Sequence, residues 1–329
     1  MNNTYLYLVL LFAISTVTLF LTKAIIPKLS KKAKQPIYSD GPSWHVSKNG
    51  TPTMGGIGFI IPSISAMGII AFFSLSNGNT AAGISLLISA AFCLLNSLIG
   101  AWDDLIKIRR SKNAGLTPRQ KLLFQGALAL GFLLIRNILF GKDTKLVFGN
   151  LSFDAKFMYY PIAIIFILGI INCANLTDGV DGLASSVSFA ISIATFLISL
   201  RKGCDVLTMS AIGIGATLGF LFFNIHPAKI FMGDTGSLFL GALSVCYAFS
   251  LNSLPAYILI CGVYVIEGIS VIAQVVFFKA TGGKRILKMA PLHHHLEKCG
   301  FDENKICIYA ILTTFVLSII ASGMIGGVG

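Results

Sequence analysis

The chain has 329 residues, of which 55% are hydrophobic and 12% charged, and its mean hydropathy is +0.82. A soluble globular domain carries about 25% charged residues, so that class is excluded and the composition specifies an integral membrane protein. The formal charge of +12 does not point to nucleic acid, because the basic residues are spread through short loops between apolar runs, where their neighbours are anionic lipid and phosphate.

A helix needs roughly 20 apolar residues to cross a hydrocarbon core of about 30 Å. The sequence predicts such runs near 5–26, 54–75, 81–100, 122–140, 158–176, 184–200, 206–224, 237–251, 255–278 and 306–325, the eighth being the shortest. The expected fold is an all-α integral membrane protein of about ten transmembrane helices, forming one polytopic domain over 1–329. The first run has no basic residues before its apolar core and no clear small-residue cleavage site, and it reads as a retained helix. Seven cysteines are scattered without a Cys-x-x-Cys pair and read as small apolar fillers.

The loops fall into two alternating classes. Segments 27–53, 101–121, 225–236 and 279–305 hold most of the lysines and arginines, Lys34 and Lys112 among them; the other class holds only Lys142, Lys145, Lys156, Arg201 and Lys202, with Arg136 near a helix end. The positive-inside rule therefore predicts a cytoplasmic first class and both termini outside. On the outer side, Leu146–Phe148 and Leu151–Phe153 flank Gly149-Asn150 as a small extracytoplasmic hairpin.

Chemistry-bearing residues gather in the cytoplasmic class. The loop from Trp44 to Gly56 combines His45, Lys48, Thr51, Thr53 and paired glycines, as a phosphate- or sugar-binding loop would, or as a polar turn with close glycine packing. After the third run come Asp103, Asp104 and Lys107, either a solvated helix end with an i,i+4 ion pair or a site for metal or phosphate. The stretch from Asn172 to Gly182 adds Asn175, Asp178 and Asp181; their spacing allows both aspartates on one face of a helical turn, and helix capping is the plainer alternative. Phe223 to Ser237 presents Asn224, His226 and then Asp234 between glycines, an N-cap or a carboxylate for a hard cation. Within the ninth run Glu267 demands a buried partner or a polar groove, and Gln274 suits an interhelical hydrogen bond. The last element is Pro291 to Glu297, with His293, His294 and His295 behind Lys284, Arg285 and Lys288. Consecutive imidazoles point in different directions on a helix and lack a Cys/His partner set for zinc, so phosphate binding with one imidazole shuttling protons fits better.

Jointly, Asp103, Asp104, Asp178, Asp181 and Asp234 stand at three helix ends beside lysines and histidines, which suits magnesium-dependent chemistry on phosphate. A cation-coupled transporter would also place carboxylates in membrane helices, but near the midplane and with an internal repeat, and no repeat is visible.

Thr51-Pro52-Thr53-Met54-Gly55-Gly56, Asp103-Asp104-x-x-Lys107, Asn172 to Gly182, Phe223 to Ser237 and Pro291 to Glu297 together resemble, in order and over essentially the whole chain, the bacterial phospho-N-acetylmuramoyl-pentapeptide-transferases. These form a branch of the polyprenyl-phosphate N-acetylhexosamine-1-phosphate transferases. Leu292 and Leu296 depart conservatively from the family's usual isoleucine and phenylalanine. The resemblance implies a multi-pass homodimer in the bacterial cytoplasmic (inner) membrane, with a cytoplasmic active site. It further implies transfer of phospho-MurNAc-pentapeptide from its UDP carrier to undecaprenyl phosphate, giving lipid I and UMP. Carried over by motif, Asp234 is the Mg2+ ligand, with Asp103 and Asp104 beside it and Asp103 the candidate base. Lys107 and Lys121 would hold phosphates. Asn175, Asp178, Asp181, Asn224 and Gln274 would shape the nucleotide pocket, with Lys48, Thr53 and Asn172 also counted among the substrate-binding residues. His293, His294 and His295 would flank the diphosphate, His293 with a catalytic role. A bend near Gly268 is expected to leave an apolar groove for the prenyl chain.

Overall fold

The computed structural model describes residues 4–33, 48, 50–110, 115–200 and 204–325. Lys34, Trp44 to Ser47 with His45, Asn49, Lys112, Arg201 and Lys202, used in the sequence reading, lie outside them.

The protein is an all-α, multi-pass membrane protein. Its helices are α1 (Thr4–Lys32), α2 (Ile57–Ser76), α3 (Thr80–Arg110), α4 (Pro118–Phe140), α5 (Tyr159–Thr177), α6 (Leu183–Ser199), α7 (Cys204–Asn224), α8 (Gly233–Ser250), α9 (Leu254–Ile260), α10 (Gly262–Ala280), α11 (Leu292–Lys298) and α12 (Glu303–Ser322). Among the described residues eight helices are long and apolar enough to cross a membrane: α1 to α5, α7, α10 and α12. The other two predicted runs became α6 and α8, of 17 and 18 residues. At about 1.5 Å per residue these are shorter than the bilayer core. The predicted hairpin forms as β1 (Lys145–Phe148) and β2 (Leu151–Asp154), antiparallel, with Phe148 opposite Leu151.

Helix α8 is the central post. Every residue from Thr235 to Phe249 is buried, chiefly under α3 and α5, and a helix apolar all round belongs in such an interior. At its C-terminal end the Arg136 guanidinium of α4 donates to the Phe249 carbonyl at 3.0 Å, a cation placed on unpaired carbonyls. Large side chains of α1, α10 and α12 such as Phe12, Ile272 and Ile319 remain exposed, as lipid-facing surfaces do.

One expectation is corrected. The ninth run is broken, but at Cys261, the residue between α9 and α10 (φ −85°, ψ 18°), and not near Gly268. Gly268 continues α10 without interruption; its missing Cβ makes room for the Cys173 thiol of α5, so this glycine serves close packing and not a bend.

Candidate active site

At one end of the bundle the C-terminal turns of α3 and α5 meet the N-terminal turns of α4 and α8. These are the ends that alternation of the predicted loops assigns to one side. Local sequence fixes each of them. Thr117 and Gln120 form a capping box ahead of α4, with Pro118 opening the helix, and this sets Lys121 in the first turn. Asp234 is not the N-cap that its position suggests: Met232 is, and Asp234 lies inside the first turn of α8 with its side chain turned to other helices.

Asp103 Oδ2 lies 2.6 Å from Lys107 Nζ and 3.2 Å from Lys121 Nζ, while Asp103 Oδ1 accepts the Leu116 amide at 2.6 Å. Asp234 Oδ2 is 3.1 Å from Lys107 Nζ and makes a close ion pair with Lys121. Asp234 Oδ1 accepts from Asn175 Nδ2 at 2.9 Å, and the same amide reaches Ser237 Oγ at 2.8 Å. Asp104 has a different part. Its Oδ1 accepts the Asp234 amide at 3.1 Å, and its Oδ2 accepts the Thr235 amide at 2.9 Å and hydroxyl at 2.6 Å. From α3 it thus caps the free amides of α8 and fixes the turn that carries Asp234. Three carboxylates face two ammonium groups here, which leaves one positive charge wanting. Each carboxylate offers one oxygen, all within 4.8 Å of one another, and hard oxygen donors of this kind fit Mg2+.

Asp178 and Asp181 do not share a helical turn. α5 ends at Thr177, and the chain between it and α6 is a loop that closes at Gly182 (φ 78°). Asp178 faces back toward the first cluster. Burial above all, then the carboxylates of Asp234, Asp104 and Asp181, pushes its carboxyl well above the usual range.

Asp181 belongs to a second cluster. Lys48 Nζ sits 2.7 Å from both Asp181 Oδ1 and Glu303 Oε2. Asp181 Oδ2 accepts the Ala228 amide at 3.0 Å and lies 3.1 Å from His226 Nδ1. A second group of carboxyl and imidazole atoms able to approach one cation, Asp181, His226 and Glu303, is centred on this ring. Loop 50–56 connects the two clusters: Gly55 and Gly56 amides donate to the Phe231 and Met232 carbonyls, and the Phe231 amide donates to the Pro52 carbonyl.

The three histidines diverge. His293, buried, pairs through Nδ1 with Glu267 Oε2 at 3.1 Å, which supplies the partner that an intramembrane glutamate demands. Its Nε2 has no hydrogen-bond partner and is pressed against Gly179, where a Cβ would collide with the ring. His294 Nδ1 lies 2.6 Å from Glu297 Oε2. His295 Nδ1 accepts the Lys288 amide at 3.1 Å.

Other predicted site residues sit in framework bonds. Asn172 Nδ2 donates to Gln125 Oε1 at 2.8 Å, joining α5 to α4. Asn224 accepts from Ser185 Oγ at 2.6 Å and donates to the Ile230 carbonyl at 3.0 Å, holding the loop before α8. Gln274 Oε1 accepts the Ile286 and Leu287 amides at 3.2 and 2.9 Å and so shapes the segment leading to α11. The Thr53 amide donates to the Ala33 carbonyl at 2.9 Å, and its hydroxyl stands beside Gly233. The sequence reading missed Thr235 and Glu303. Thr235 was legible as a donor next to the candidate metal ligand, and Glu303 as a carboxylate opening the last apolar run in a cytoplasmic-class loop.

A family model described as glycosyl transferase family 4 matches residues 84–252, which carry Asp103, Asp178 and Asp234. The phospho-N-acetylmuramoyl-pentapeptide-transferase of Caldicellulosiruptor bescii is 38% identical over 313 residues, 94% of each chain. The enzyme of that name from Halalkalibacterium halodurans is 41% identical over 296 residues, 89% of each chain. That of Clostridium acetobutylicum is 41% identical over 300 residues, 90% of this chain and 92% of the relative.

Proposed function

From the premise that this chain belongs to the phospho-N-acetylmuramoyl-pentapeptide-transferase family, within glycosyl transferase family 4, we propose that it moves phospho-MurNAc-pentapeptide from UDP-MurNAc-pentapeptide to undecaprenyl phosphate. The products are lipid I and UMP. The reaction takes place at the cytoplasmic face of the bacterial inner membrane, in a homodimer whose ten spans leave both termini outside. The observation that carries this reading is the convergence of Asp103, Asp104, Asp234, Lys107 and Lys121 from three helices at one end of the bundle.

Asp234 would hold Mg2+, with Asp103 beside it; the ion supplies charge neutralisation at the diphosphate. Asp104 keeps Asp234 in place through its three hydrogen bonds to the first turn of α8. Lys107 and Lys121 neutralise the phosphate oxygens as charge shifts to the leaving group. The acceptor's phosphate oxygen forms a bond to the sugar-linked phosphorus while the bridging P–O bond to UMP breaks, and Asp103 takes up any proton that the acceptor phosphate carries. Asn175, bonded to Asp234 in the first cluster, Asp178, between the clusters, and Lys48 and Asp181, in the second, line the nucleotide side. His293, held by Glu267, presents Nε2 toward the Gly179 backbone next to Asp178, while His294 and His295 flank the diphosphate.

The test is UMP release by purified protein. Turnover is expected with UDP-MurNAc-pentapeptide only when undecaprenyl phosphate and Mg2+ are both present. Turnover of UDP-GlcNAc in its place, with none of the muramoyl donor, contradicts the assignment.

A further inference from the structure

We propose that Glu303, at the start of α12, is a positioning residue for donor binding: it sets Lys48 and Asp181 for the nucleotide. The inference rests on the reading above that Lys48 and Asp181 face the donor. Glu303 Oε2 accepts from two groups at once, Lys48 Nζ at 2.7 Å and the Asp181 backbone amide at 2.9 Å. Its other oxygen, Oε1, lies 3.4 Å from His226 Nδ1. Glu303 therefore touches three of the segments that frame the second cluster, the 48–56 loop, the 178–182 loop and the loop after α7, and joins all three to α12.

The physical consequence follows from reach and charge. A lysine ammonium on four flexible carbons loses considerable rotamer freedom when it is held in one place. Two carboxylates hold Lys48 Nζ, Asp181 on one side and Glu303 on the other, each at 2.7 Å. Without the Glu303 charge, Asp181 alone would fix the ammonium. The Glu303 oxygen that accepts the Asp181 amide also orients a carboxylate whose second oxygen is already committed to Ala228 and His226, and an uncharged acceptor there holds that amide less firmly. Among the described residues Glu303 makes no hydrogen bond or ion pair with the Asp103–Asp234 cluster, so its effect belongs to binding and not to the chemical step.

Glu303→Gln removes the charge but keeps an oxygen for the Asp181 amide. It should raise the donor KM by about tenfold, the scale of one charge-assisted hydrogen bond, while kcat stays within about twofold and the KM for undecaprenyl phosphate is unchanged. Lys48→Met should raise the donor KM as well, and the double variant should be no worse than Lys48→Met by more than about twofold, since both act through one ammonium. An unchanged donor KM in Glu303→Gln, alongside a raised one in Lys48→Met, overturns the proposal. An unchanged donor KM in Lys48→Met overturns the nucleotide reading on which it rests. If Glu303→Gln does not fold, Glu303→Asp replaces it: the shorter arm cannot reach Lys48 and the Asp181 amide together. The same selective rise in donor KM is then expected, and a folded Glu303→Asp with wild-type donor KM overturns the proposal.

Discussion

The two charged clusters at this end of the bundle are built differently. The Asp234 cluster is assembled from helix termini, with α3, α4, α5 and α8 each contributing a side chain from a regular turn, and it gathers three carboxylates around two ammonium groups. The Asp181 cluster is assembled from loops plus the first residue of α12, and its one lysine is shared by two carboxylates with a half-exposed imidazole beside them. Rigid ends and a deficit of positive charge suit a metal-assisted phosphoryl step, which demands fixed geometry. Loops that bring one lysine, two carboxylates and an imidazole together suit recognition of a nucleotide.

Variants can break or sharpen this contrast. The largest effect belongs to Asp234→Asn, which should lower UMP release by about a thousandfold or more, the several kcal/mol of a metal-held charge, without loss of the folded state by thermal unfolding in detergent. Next comes Asp104→Asn. Its new NH2 must face one of two backbone amide donors, that of Asp234 or that of Thr235, so the fold should lose about 1–3 kcal/mol in unfolding measurements and turnover should fall with it.

Asp178→Asn lies between the clusters. It should weaken nucleotide binding more than it changes the Mg2+ response of turnover. The same variant has a signature in pH. An acid whose pKa is raised on folding leaves stability intact below its unfolded value of about 3.9, and that stability is lost as pH rises to the folded value. Asp178→Asn should flatten this loss in magnesium-free thermal unfolding as pH rises above about 4, and a slope equal to wild type would contradict the direction of the shift. Thr117→Ala is the smallest change: loss of the cap ahead of Lys121 should cost about 1 kcal/mol of stability, with only a minor fall in turnover.

What the sequence made legible follows from which physics is local. Hydropathy placed the long helices, because a span must cover the bilayer core, but it did not place all of their ends: α1 runs on to Lys32 and α3 to Arg110, past the predicted 26 and 100, so Asp103 and Asp104 lie inside α3. The hairpin was legible from its Gly149-Asn150 turn. Loop alternation put Asp103, Asp178 and Asp234 at one end before any contact was visible. What escaped depends on the path of loops. The spacing of Asp178 and Asp181 fits one helical face, yet α5 stops at Thr177 and Gly182 turns the chain, so the two carboxylates part. Asn172, Asn224 and Gln274 are polar residues whose partners, Gln125, Ile230 and the 286–287 amides, lie on other segments. Glu303 follows Asp302, the N-cap of α12, reads as part of an ordinary acidic helix start, and acquires meaning only once α12 packs beside Lys48. The break at Cys261 carries no proline, and an apolar run conceals it.

The division of labour between the clusters is tested most directly by titrating UMP calorimetrically, without Mg2+, into wild type, Asp234→Asn and Asp181→Asn. The account predicts that Asp234→Asn, inactive in turnover, binds UMP within severalfold of wild type, whereas Asp181→Asn binds it at least about tenfold more weakly, the loss expected of a charged hydrogen-bonding group. Wild-type affinity in Asp181→Asn together with lost binding in Asp234→Asn would contradict it.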